Sequence, residues 1–337
     1  MVACAGGAVG DGRQLVRFGR TRLRGARGRG TGPALGYEVS LGKNWCRSKR
    51  EVSAGRNGCI FWGDATHHQE PDATMKKITL HDLFEAKKER RQLTEIFTTD
   101  PLEAQACEAA GIEIVMTITA TLKALRAAAP NVFMIATDKI NDPEIANPAA
   151  AVAAGFRAMN DGADAVYTHL STECVRAMSR EKIPVVGHVG YVPYRSSWFG
   201  GPRAVGKTAS EAIQVYRDTL AYQEAGAIAV EMEIVPQRVA AEIARRLEIM
   251  IFSMGSGRGG DVQYLFATDV LGTNTGHVPR HSKVYGNLHA ELERVQALRV
   301  EAFRALQADV RGGTFPEAKH LLEVDEGEFA AFVEGIE

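Results

Sequence analysis

The sequence lacks any run of 18 apolar residues, so it offers no helix that could cross a bilayer, and we expect no membrane association. It also lacks an excess of charge of either sign. The 40 Lys and Arg residues nearly balance the 41 Asp and Glu residues, which leaves a net charge of −1 and no electrostatic argument for binding nucleic acid. Cysteine is scarce, with five residues and no C-x-x-C pair. This usage is typical of a reducing compartment, and we expect a cytoplasmic protein.

Residues 1–74 differ in composition from the rest of the chain. The stretch Arg13–Arg29 is rich in arginine and glycine and contains no acidic residue, so it cannot bury enough apolar surface to offset the entropy of ordering. Three interpretations stay open: a basic arm for nucleic acid, an organellar transit peptide, or an extension from an upstream start codon with Met75 as the true start. We favour the third and predict that residues 1–74 are a disordered or spurious extension.

From Arg91 to Leu322, short apolar runs alternate with amphipathic helices. Several of the runs are continuous rather than alternating, as expected for parallel strands that are covered on both faces. The eight runs are Leu93–Thr98, Glu113–Ile118, Val132–Thr137, Ala163–Leu170, Pro184–Val189, Ala227–Glu233, Ile249–Met254 and Gln263–Ala267. Eight such units predict an α/β protein whose residues 75–337 form one catalytic (β/α)8 TIM barrel, with an open doubly wound sheet as the alternative.

The helix signals carry two further expectations. Thr208 or Ser210 is expected to cap a helix that stops near Gly226. The last predicted helix, Leu288–Val310, is amphipathic and long enough to close the barrel or to pack against a partner. We expect a homo-oligomer.

Two glycine-rich stretches resemble ligand-binding loops. Gly201–Thr208 matches the pattern G-x-x-x-x-G-K-T of phosphate-binding loops, but that motif needs a buried strand directly before it. The preceding apolar run ends about eleven residues earlier, so we favour a mobile loop at the barrel mouth. Met254–Asp261 follows the seventh run, and its glycines would let backbone amides face a ligand, although this pattern alone also fits an ordinary turn.

Polar side chains interrupt the fifth and sixth runs. Glu231 and Glu233 lie on the same side of one predicted strand, near its end, where barrel enzymes place catalytic groups. Buried carboxylates are costly unless they are used or paired. We predict that Glu233 is a general base with His188 as an active-site donor beside it. For Glu231 we favour a structural ion pair with an Arg or Lys.

The ordered motifs resemble ketopantoate hydroxymethyltransferase, a family of the phosphoenolpyruvate mutase/isocitrate lyase barrel superfamily. Glu224–Pro236 reads EAGAIAVEMEIVP, which resembles the family's EAGAFAVVLECVP, and the loop Gly200–Thr208 resembles its GGYKVQGRT. Further segments resemble the family's IPVMGHIGLTPQ, its glycine-rich stretch after the seventh strand, and its PRFVKRYA ending: Ile183–Pro193, Gly255–Gly272 and Pro279–Pro316.

The resemblance implies a reaction. The family makes ketopantoate, for pantothenate biosynthesis, from the 2-oxo acid 3-methyl-2-oxobutanoate and a one-carbon unit of methylenetetrahydrofolate. A Mg²⁺ stabilises the enolate and a glutamate takes the proton from carbon 3. By position that glutamate is Glu233, the family's histidine is His188, and Asp100 resembles the aspartate of its TAYD motif.

The resemblance also shows where this chain departs. At the end of the second run, Thr119, followed by Ala120, replaces a metal-binding aspartate. The second metal aspartate falls on Thr137, with Asp138 adjacent. The lysine and glutamate of the family's VKLEGG become Tyr167 and His169. We therefore predict Thr119, Ala120 and Tyr167 as substrate-binding residues, and Asp138 and His169 as ligands of a divalent metal, Mg²⁺ by resemblance or else Zn²⁺ or Mn²⁺.

The predicted function is a hydroxymethyltransferase-like, aldol-type C–C bond formation on a small 2-oxo acid, through a metal-stabilised enolate. Two alternatives stay open. One is another C–C lyase or hydrolase of the same superfamily with a rebuilt metal site. The other is an inactive homologue that serves as an oligomeric scaffold or a ligand sensor.

Overall fold

A computed structural model describes residues 76–137 and 143–336 of the chain. The predicted extension 1–74 and the predicted ligand Asp138 lie outside these residues. Within them, eight strands pair in chain order, all in parallel, and close into a barrel. The strands are β1 Leu93–Phe97, β2 Ile114–Ile118, β3 Phe133–Thr137, β4 Ala165–Tyr167, β5 Val185–Gly190, β6 Ala229–Glu233, β7 Met250–Met254 and β8 Val262–Phe266. The predicted (β/α)8 barrel is confirmed.

Ten α-helices precede, connect or follow the strands in the described ranges. They are α1 Leu80–Lys88, α2 Pro101–Ala109, α3 Leu122–Ala128, α4 Pro148–Asn160, α5 Thr172–Arg180, α6 Ala209–Glu224, α7 Gln237–Arg246, α8 Ala267–Val270, α9 Leu288–Gly312 and α10 Glu326–Ile336. The first helix covers the N-terminal end of the barrel, since Lys87 donates to the carbonyl of Ile249 before β7 and pairs with Asp261 before β8. The opposite end, where the strands terminate, is therefore the open mouth.

Alternating side chains divide each strand between two apolar clusters. Residues such as Ile114, Phe133 and Met250 point into the barrel, and their neighbours such as Val115 and Met134 pack against the outer helices. Both sets are buried. Burial on both faces is the reason that the strands read as continuous apolar runs.

Two expectations about the elements need correction, and one open alternative is resolved. The fourth strand covers only Ala165–Tyr167, because the chain leaves the sheet at Thr168, whose hydroxyl accepts from the amide of Leu170. No helix joins β7 to β8, and residues 255–261 make this connection alone. Of the two candidate caps, Thr208 is the one that accepts a hydrogen bond from the amide of Glu211 at the start of α6.

The helical cover is incomplete beside β8. Every residue of β6 and β7 is buried, whereas the outward-facing Thr94, Gln263 and Leu265 of β1 and β8 are only partly buried. The helix that follows β8, α8, has four residues, and none of the residues of α9 or α10 is buried. None of the helices in the described ranges is long and apolar enough to span a membrane.

One polar group stands out inside the barrel. Glu95 of β1 is 0% exposed, and neither of its carboxyl oxygens has a hydrogen-bond partner. Burial, and then the charge of Glu231, raise the pKa of Glu95 well above its usual range. The folded protein therefore holds a proton that the unfolded chain releases above about pH 4.3.

We expect Glu95→Met to stabilise the protein, because it keeps the length of the side chain and removes an unsatisfied buried group. Protonation of Glu95 stabilises the folded state fully only when the pH is below the pKa that this group has in the unfolded chain. The stabilisation is lost as the pH rises through the higher pKa that the group has in the folded protein. The free energy of unfolding in urea should therefore exceed that of the wild type by about 1–3 kcal/mol at pH 8, and by less at pH 5. The exposed Glu224→Met serves as the control. Destabilisation by Glu95→Met at both pH values would contradict this account.

Candidate active site

A histidine and a glutamate meet at the mouth of the barrel, on adjacent strands. The register of β5 and β6 places His188 beside Glu231 and Gly190 beside Glu233. The side chains reach along this ladder, so that Nε2 of His188 lies 3.2 Å from Oε2 of Glu233. Both residues are buried, at 6% and 8% exposure. The two residues that the sequence predicted as catalytic are thus in direct contact.

Hydrogen bonds on both ring nitrogens fix the orientation of His188. Its Nε2 lies 3.1 Å from the carbonyl oxygen of Tyr191, and its Nδ1 lies 2.6 Å from the hydroxyl of Tyr167. A carbonyl oxygen can only accept, so Nε2 carries a proton and directs it toward both Tyr191 and Glu233. Nδ1 is then left to share a proton with the Tyr167 hydroxyl.

The backbone of Glu233 is held as closely as its side chain. The amide of Tyr191 donates to the carbonyl of Glu233 at 2.8 Å. A Cβ on Gly190 would lie 2.5 Å from that same oxygen, so this position excludes any side chain. Ile234 directly follows with φ 49°, a conformation that a β-branched residue rarely adopts. Backbone strain of this kind persists where the surroundings enforce it, and it often marks a functional site.

Ser256 is a part of the site that sequence reasoning missed. This serine, 0% exposed, donates to the carbonyl of Met232 at 2.7 Å and accepts from the amide of Val235 at 2.9 Å. It therefore ties the loop after β7 to the residues on either side of Glu233. The glycine-rich sequence around Ser256 is typical of a ligand-binding loop, but it fits an ordinary turn equally well.

Glu231 does not form the ion pair that the sequence suggested. Among the described residues it has no Arg or Lys partner; its carboxyl lies within 4.8 Å of ligand atoms of His188 and Glu233, and both act on it electrostatically. Burial raises the pKa of Glu231 to about 7. Burial alone would lower the pKa of His188, but Glu231 and Glu233 outweigh that effect and raise it. The interpretation as an Arg or Lys pair was wrong because, in the described part of the chain, no Arg or Lys is buried and the basic group beside Glu231 is His188.

Relatives of known name match much of the chain. A family model described as ketopantoate hydroxymethyltransferase matches residues 117–318. The 3-methyl-2-oxobutanoate hydroxymethyltransferase of Geobacillus sp. (strain WCH70) is 30% identical over 281 residues, which cover 76% of this chain and 98% of that one. Its namesake from Hyperthermus butylicus is 32% identical over 281 residues, covering 76% and 94%. The chain belongs to the ketopantoate hydroxymethyltransferase family.

Solved structures align more loosely. Phosphonopyruvate hydrolase gives a TM-score of 0.43 at 16% identity and covers 77% of this chain and 97% of its own. For 2,3-dimethylmalate lyase the TM-score is 0.42 at 14% identity, with 77% and 100% covered. Similarity at this level carries no argument about activity. The sequence relatives confirm the predicted family, and with it the prediction of a hydroxymethyltransferase-like enzyme.

The positions at which the ketopantoate hydroxymethyltransferase family holds its metal do not fit Mg²⁺ in the described part of this chain. Thr119 and Thr137, at the ends of β2 and β3, offer hydroxyls where Mg²⁺ prefers carboxylates. The ring of His169 lies 4.6 Å from that of Tyr194, and burial lowers the pKa of His169 to about 4. Asp138, the remaining predicted ligand, is outside the described residues.

A different set of side chains has the spacing of a metal site. His188, Glu231 and Glu233 bring three ligand atoms within 4.8 Å of one another. Both ring nitrogens of His188 are already engaged by Tyr167 and Tyr191, so in this structure the set is a hydrogen-bonded cluster. It lies on β5 and β6, away from the strands that carry the family's metal.

The other predicted residues lie at or just beyond the ends of β1, β2 and β4. Thr119 and Tyr167 both line one small cavity, but most of its lining comes from α4, α5 and the outward-facing side of β3 and β4, so it lies on the helix side of the barrel wall. Ala120 is exposed in the turn after Thr119. Asp100 caps α2 by accepting from the amide of Leu102 at 2.8 Å.

His281 is a second residue that the sequence reasoning did not select. It packs against Gly255, and the charge of Glu233 acts on it, although burial, the larger effect, lowers its pKa. A signal was available: Pro279, Arg280 and His281 align with the family's PRF, so histidine replaces a phenylalanine here.

Backbone amides of the Gly201–Thr208 loop, which matches the phosphate-loop pattern, bind a side chain of the same protein. The carboxylate of Glu211 accepts from the amides of Gly206 and Lys207, both at 3.1 Å, and pairs with Arg203 at 2.6 Å. These amides face a side chain instead of open solvent. The strand β5 ends at Gly190, well before the loop.

We expect no saturable binding of ATP or GTP by this loop. The Glu211 carboxylate already fills the place that a phosphate would take, and the feeding strand is missing. Isothermal titration with nucleotide and Mg²⁺ should give no binding heat for the wild type or for Lys207→Ala. Saturable binding that Lys207→Ala abolishes would overturn the expectation.

Proposed function

We propose that this protein transfers a one-carbon unit to a 2-oxo acid, 3-methyl-2-oxobutanoate, through an enolate. The observation that carries the proposal is the buried contact between Glu233 and His188 at the end of β6, at the positions where the family has its base and its histidine. Methylenetetrahydrofolate is the one-carbon donor that the family relationship suggests.

The first step is a proton transfer from carbon 3 to the carboxylate of Glu233. The C–H electrons become the C2=C3 bond, and the carbonyl electrons move onto the oxygen as an enolate. Burial excludes competing water from the carboxylate. The Nε2–H of His188 holds the carboxylate in one orientation, and the clamp from Tyr191 fixes its backbone.

Water releases the one-carbon unit from methylenetetrahydrofolate as formaldehyde and leaves tetrahydrofolate. The enolate carbon then attacks the formaldehyde carbon. The C2=C3 electrons form the new C–C bond, and the C2 carbonyl forms again. The formaldehyde C=O electrons move onto the oxygen, which takes up the proton from Glu233 to give the hydroxymethyl group. The stabilisation of the enolate oxygen needs hydrogen-bond donors or a cation at the strand ends. Thr119, at the end of β2, carries a hydroxyl group on this side of the barrel, whereas the hydroxyl of Tyr167 is engaged by Nδ1 of His188. Because the described residues do not fit the family's Mg²⁺ site, no step is assigned to a metal.

We predict that Glu233→Gln abolishes the enolisation, because it keeps the shape of the side chain and removes its basicity. The wild type should exchange the hydrogen at carbon 3 of 3-methyl-2-oxobutanoate in D₂O, followed by NMR, and Glu233→Gln should be slower by about 10²–10⁴-fold. The assay is run without metal and then with Mg²⁺, Mn²⁺ or Zn²⁺ in turn.

The exposed Glu248→Gln is the matched control and should exchange at the wild-type rate. Equal exchange by Glu233→Gln and wild type would remove Glu233 from the role of base. Wild-type protein that never exchanges, with any metal, would contradict the proposed substrate.

We further propose that the protein is a homo-oligomer in which α9 of one copy covers a second copy. Large apolar side chains on α9, among them Leu298, Phe303 and Val310, are about half or more exposed. The strands β8 and β1 are the least covered part of the barrel, and within residues 76–137 and 143–336 no helix completes the layer there. A second copy carries the same exposed helix α9 and the same uncovered strands, so each copy can cover the strands of the other.

Phe303→Glu should weaken this assembly, because it places a charge in an apolar contact. Sedimentation velocity should show the wild type as a multiple of the 36.5 kDa chain and Phe303→Glu shifted toward the monomer. Gln296→Glu on the same helix is the control and should leave the assembly intact. A monomeric wild type at micromolar concentration would contradict the proposal.

A further inference from the structure

A second histidine, His281, lies at the mouth of the barrel near Glu233. In the register of β6 and β7, Glu233 pairs with Met254, the last residue of β7. Gly255 follows directly, and His281 covers it, since a Cβ on Gly255 would lie 3.0 Å from both Cγ and Nδ1 of the ring. On the other side of β6, His188 reaches Glu233 from β5. The strand of Glu233 thus has a histidine at the end of each neighbouring strand.

A buried carboxylate holds the segment that carries His281. The amide of Ser282 donates to the carbonyl of Pro279 at 2.9 Å, which closes a turn around His281. The hydroxyl of Ser282 donates to Oδ2 of Asp269 at 2.8 Å, and the side-chain amide of Asn274 donates to Oδ1 at 2.7 Å. Asp269 is 2% exposed and lies in α8, just after β8. The end of the barrel therefore sets the position of His281.

The protein itself makes no use of the ring nitrogens of His281. Within the described residues neither nitrogen has a hydrogen-bond partner, and the side chain is partly buried. Packing on Gly255 needs only a ring, and the family's PRF has a phenylalanine at this position. A polar ring without partners carries a desolvation cost that phenylalanine would not. The fold does not account for these nitrogens, whereas a polar atom of a bound ligand would.

The two other donors next to Glu233 are already engaged. Both ring nitrogens of His188 have partners, and the hydroxyl of Ser256 donates to one carbonyl and accepts from one amide. Of these three side chains, His281 alone has nitrogens that no described residue engages. The bond between its Cγ and Nδ1 faces Gly255, which leaves Nε2, on the far side of the ring, to meet a ligand.

We propose that His281 is a further catalytic residue, which donates a hydrogen bond from Nε2 to the oxygen of the formaldehyde unit while the C–C bond forms. This role rests on the proposed function. Glu233 takes the proton from carbon 3 and later gives it to that oxygen, so the oxygen must come near Glu233, where His281 is the unengaged donor. Negative charge develops on the oxygen during the attack, and a donor already in place stabilises it. The ring keeps its own proton, because the proton of the new hydroxyl comes from Glu233.

A neutral ring suits this role. Burial is the largest effect on His281, and it lowers the pKa of the ring below its usual value. The ring is then neutral at pH 7.5, with one N–H and one bare nitrogen. In the tautomer with the proton on Nε2 it can donate to the oxygen. It also adds no positive charge that would lower the basicity of Glu233.

The first test separates formation of the enolate from formation of the C–C bond. Hydrogen exchange at carbon 3 in D₂O needs Glu233 but no formaldehyde, whereas condensation of 3-methyl-2-oxobutanoate with formaldehyde needs both. His281→Phe keeps the ring that packs on Gly255. We expect its exchange to stay within about twofold of the wild type and its condensation to be slower by about 10²-fold.

Two further variants control this test. His281→Gln, whose side-chain amide can donate from near the place of Nε2, should recover most of the lost condensation rate. The exposed His277→Phe, on the same segment, makes the same chemical change away from Glu233 and should match the wild type in both reactions.

Ligand binding gives a second readout that does not depend on turnover. Ketopantoate carries the hydroxymethyl oxygen, and 3-methyl-2-oxobutanoate lacks it. In isothermal titration, His281→Phe should bind ketopantoate about 3- to 10-fold more weakly than the wild type does, since one hydrogen bond is lost. Its affinity for 3-methyl-2-oxobutanoate should be unchanged. A merely structural role of His281 would weaken both ligands alike.

Three results would overturn the proposal while the wild type still exchanges the hydrogen at carbon 3, so that the proposed function stands. They are condensation by His281→Phe at the wild-type rate, an equal loss of exchange and condensation, and equal weakening of both ligands. A wild type that neither exchanges this hydrogen nor binds either ligand would contradict the proposed function itself, and this proposal with it.

Discussion

The contact between Nε2 of His188 and the carboxylate of Glu233 is the interaction around which the mouth of the barrel is arranged. A buried carboxylate is tolerated only when a donor accompanies it, and here the donor comes from the neighbouring strand. The backbone of Tyr191 serves both partners, because its carbonyl accepts from His188 and its amide donates to Glu233. Gly190, the strained Ile234 and the loop serine Ser256 all serve the same placement.

The remainder of the barrel explains how this placement is maintained. Parallel strands with burial on both faces set the ends of β5 and β6 rigidly beside each other, so a contact between two side chains becomes a fixed geometry. The polar interior has a cost, which is most evident at Glu95. The membership of the ketopantoate hydroxymethyltransferase family accounts for the base and the histidine, but not for Tyr167 and Glu231, which belong to this chain's own version of the site.

Much of this could be predicted from the sequence, for identifiable reasons. The eight strands were visible because burial on both faces produces continuous apolar runs, and His188 and Glu233 were visible because polar groups interrupt those runs at their ends. The partner of Nδ1 of His188 could not be found, since Tyr167 is distant in sequence and its hydroxyl carries no pattern. Ser256 looked like part of a turn. The helix α9 was predicted, but its sequence could not show that none of its residues is buried against the barrel of the same chain.

A crystal structure with 3-methyl-2-oxobutanoate bound tests the central claim most directly. The account predicts that the keto acid lies at the mouth of the barrel, with carbon 3 about 3–3.5 Å from a carboxylate oxygen of Glu233 and with the Nε2 contact of His188 retained. A ligand that binds elsewhere, or that turns carbon 3 away from Glu233, would contradict it.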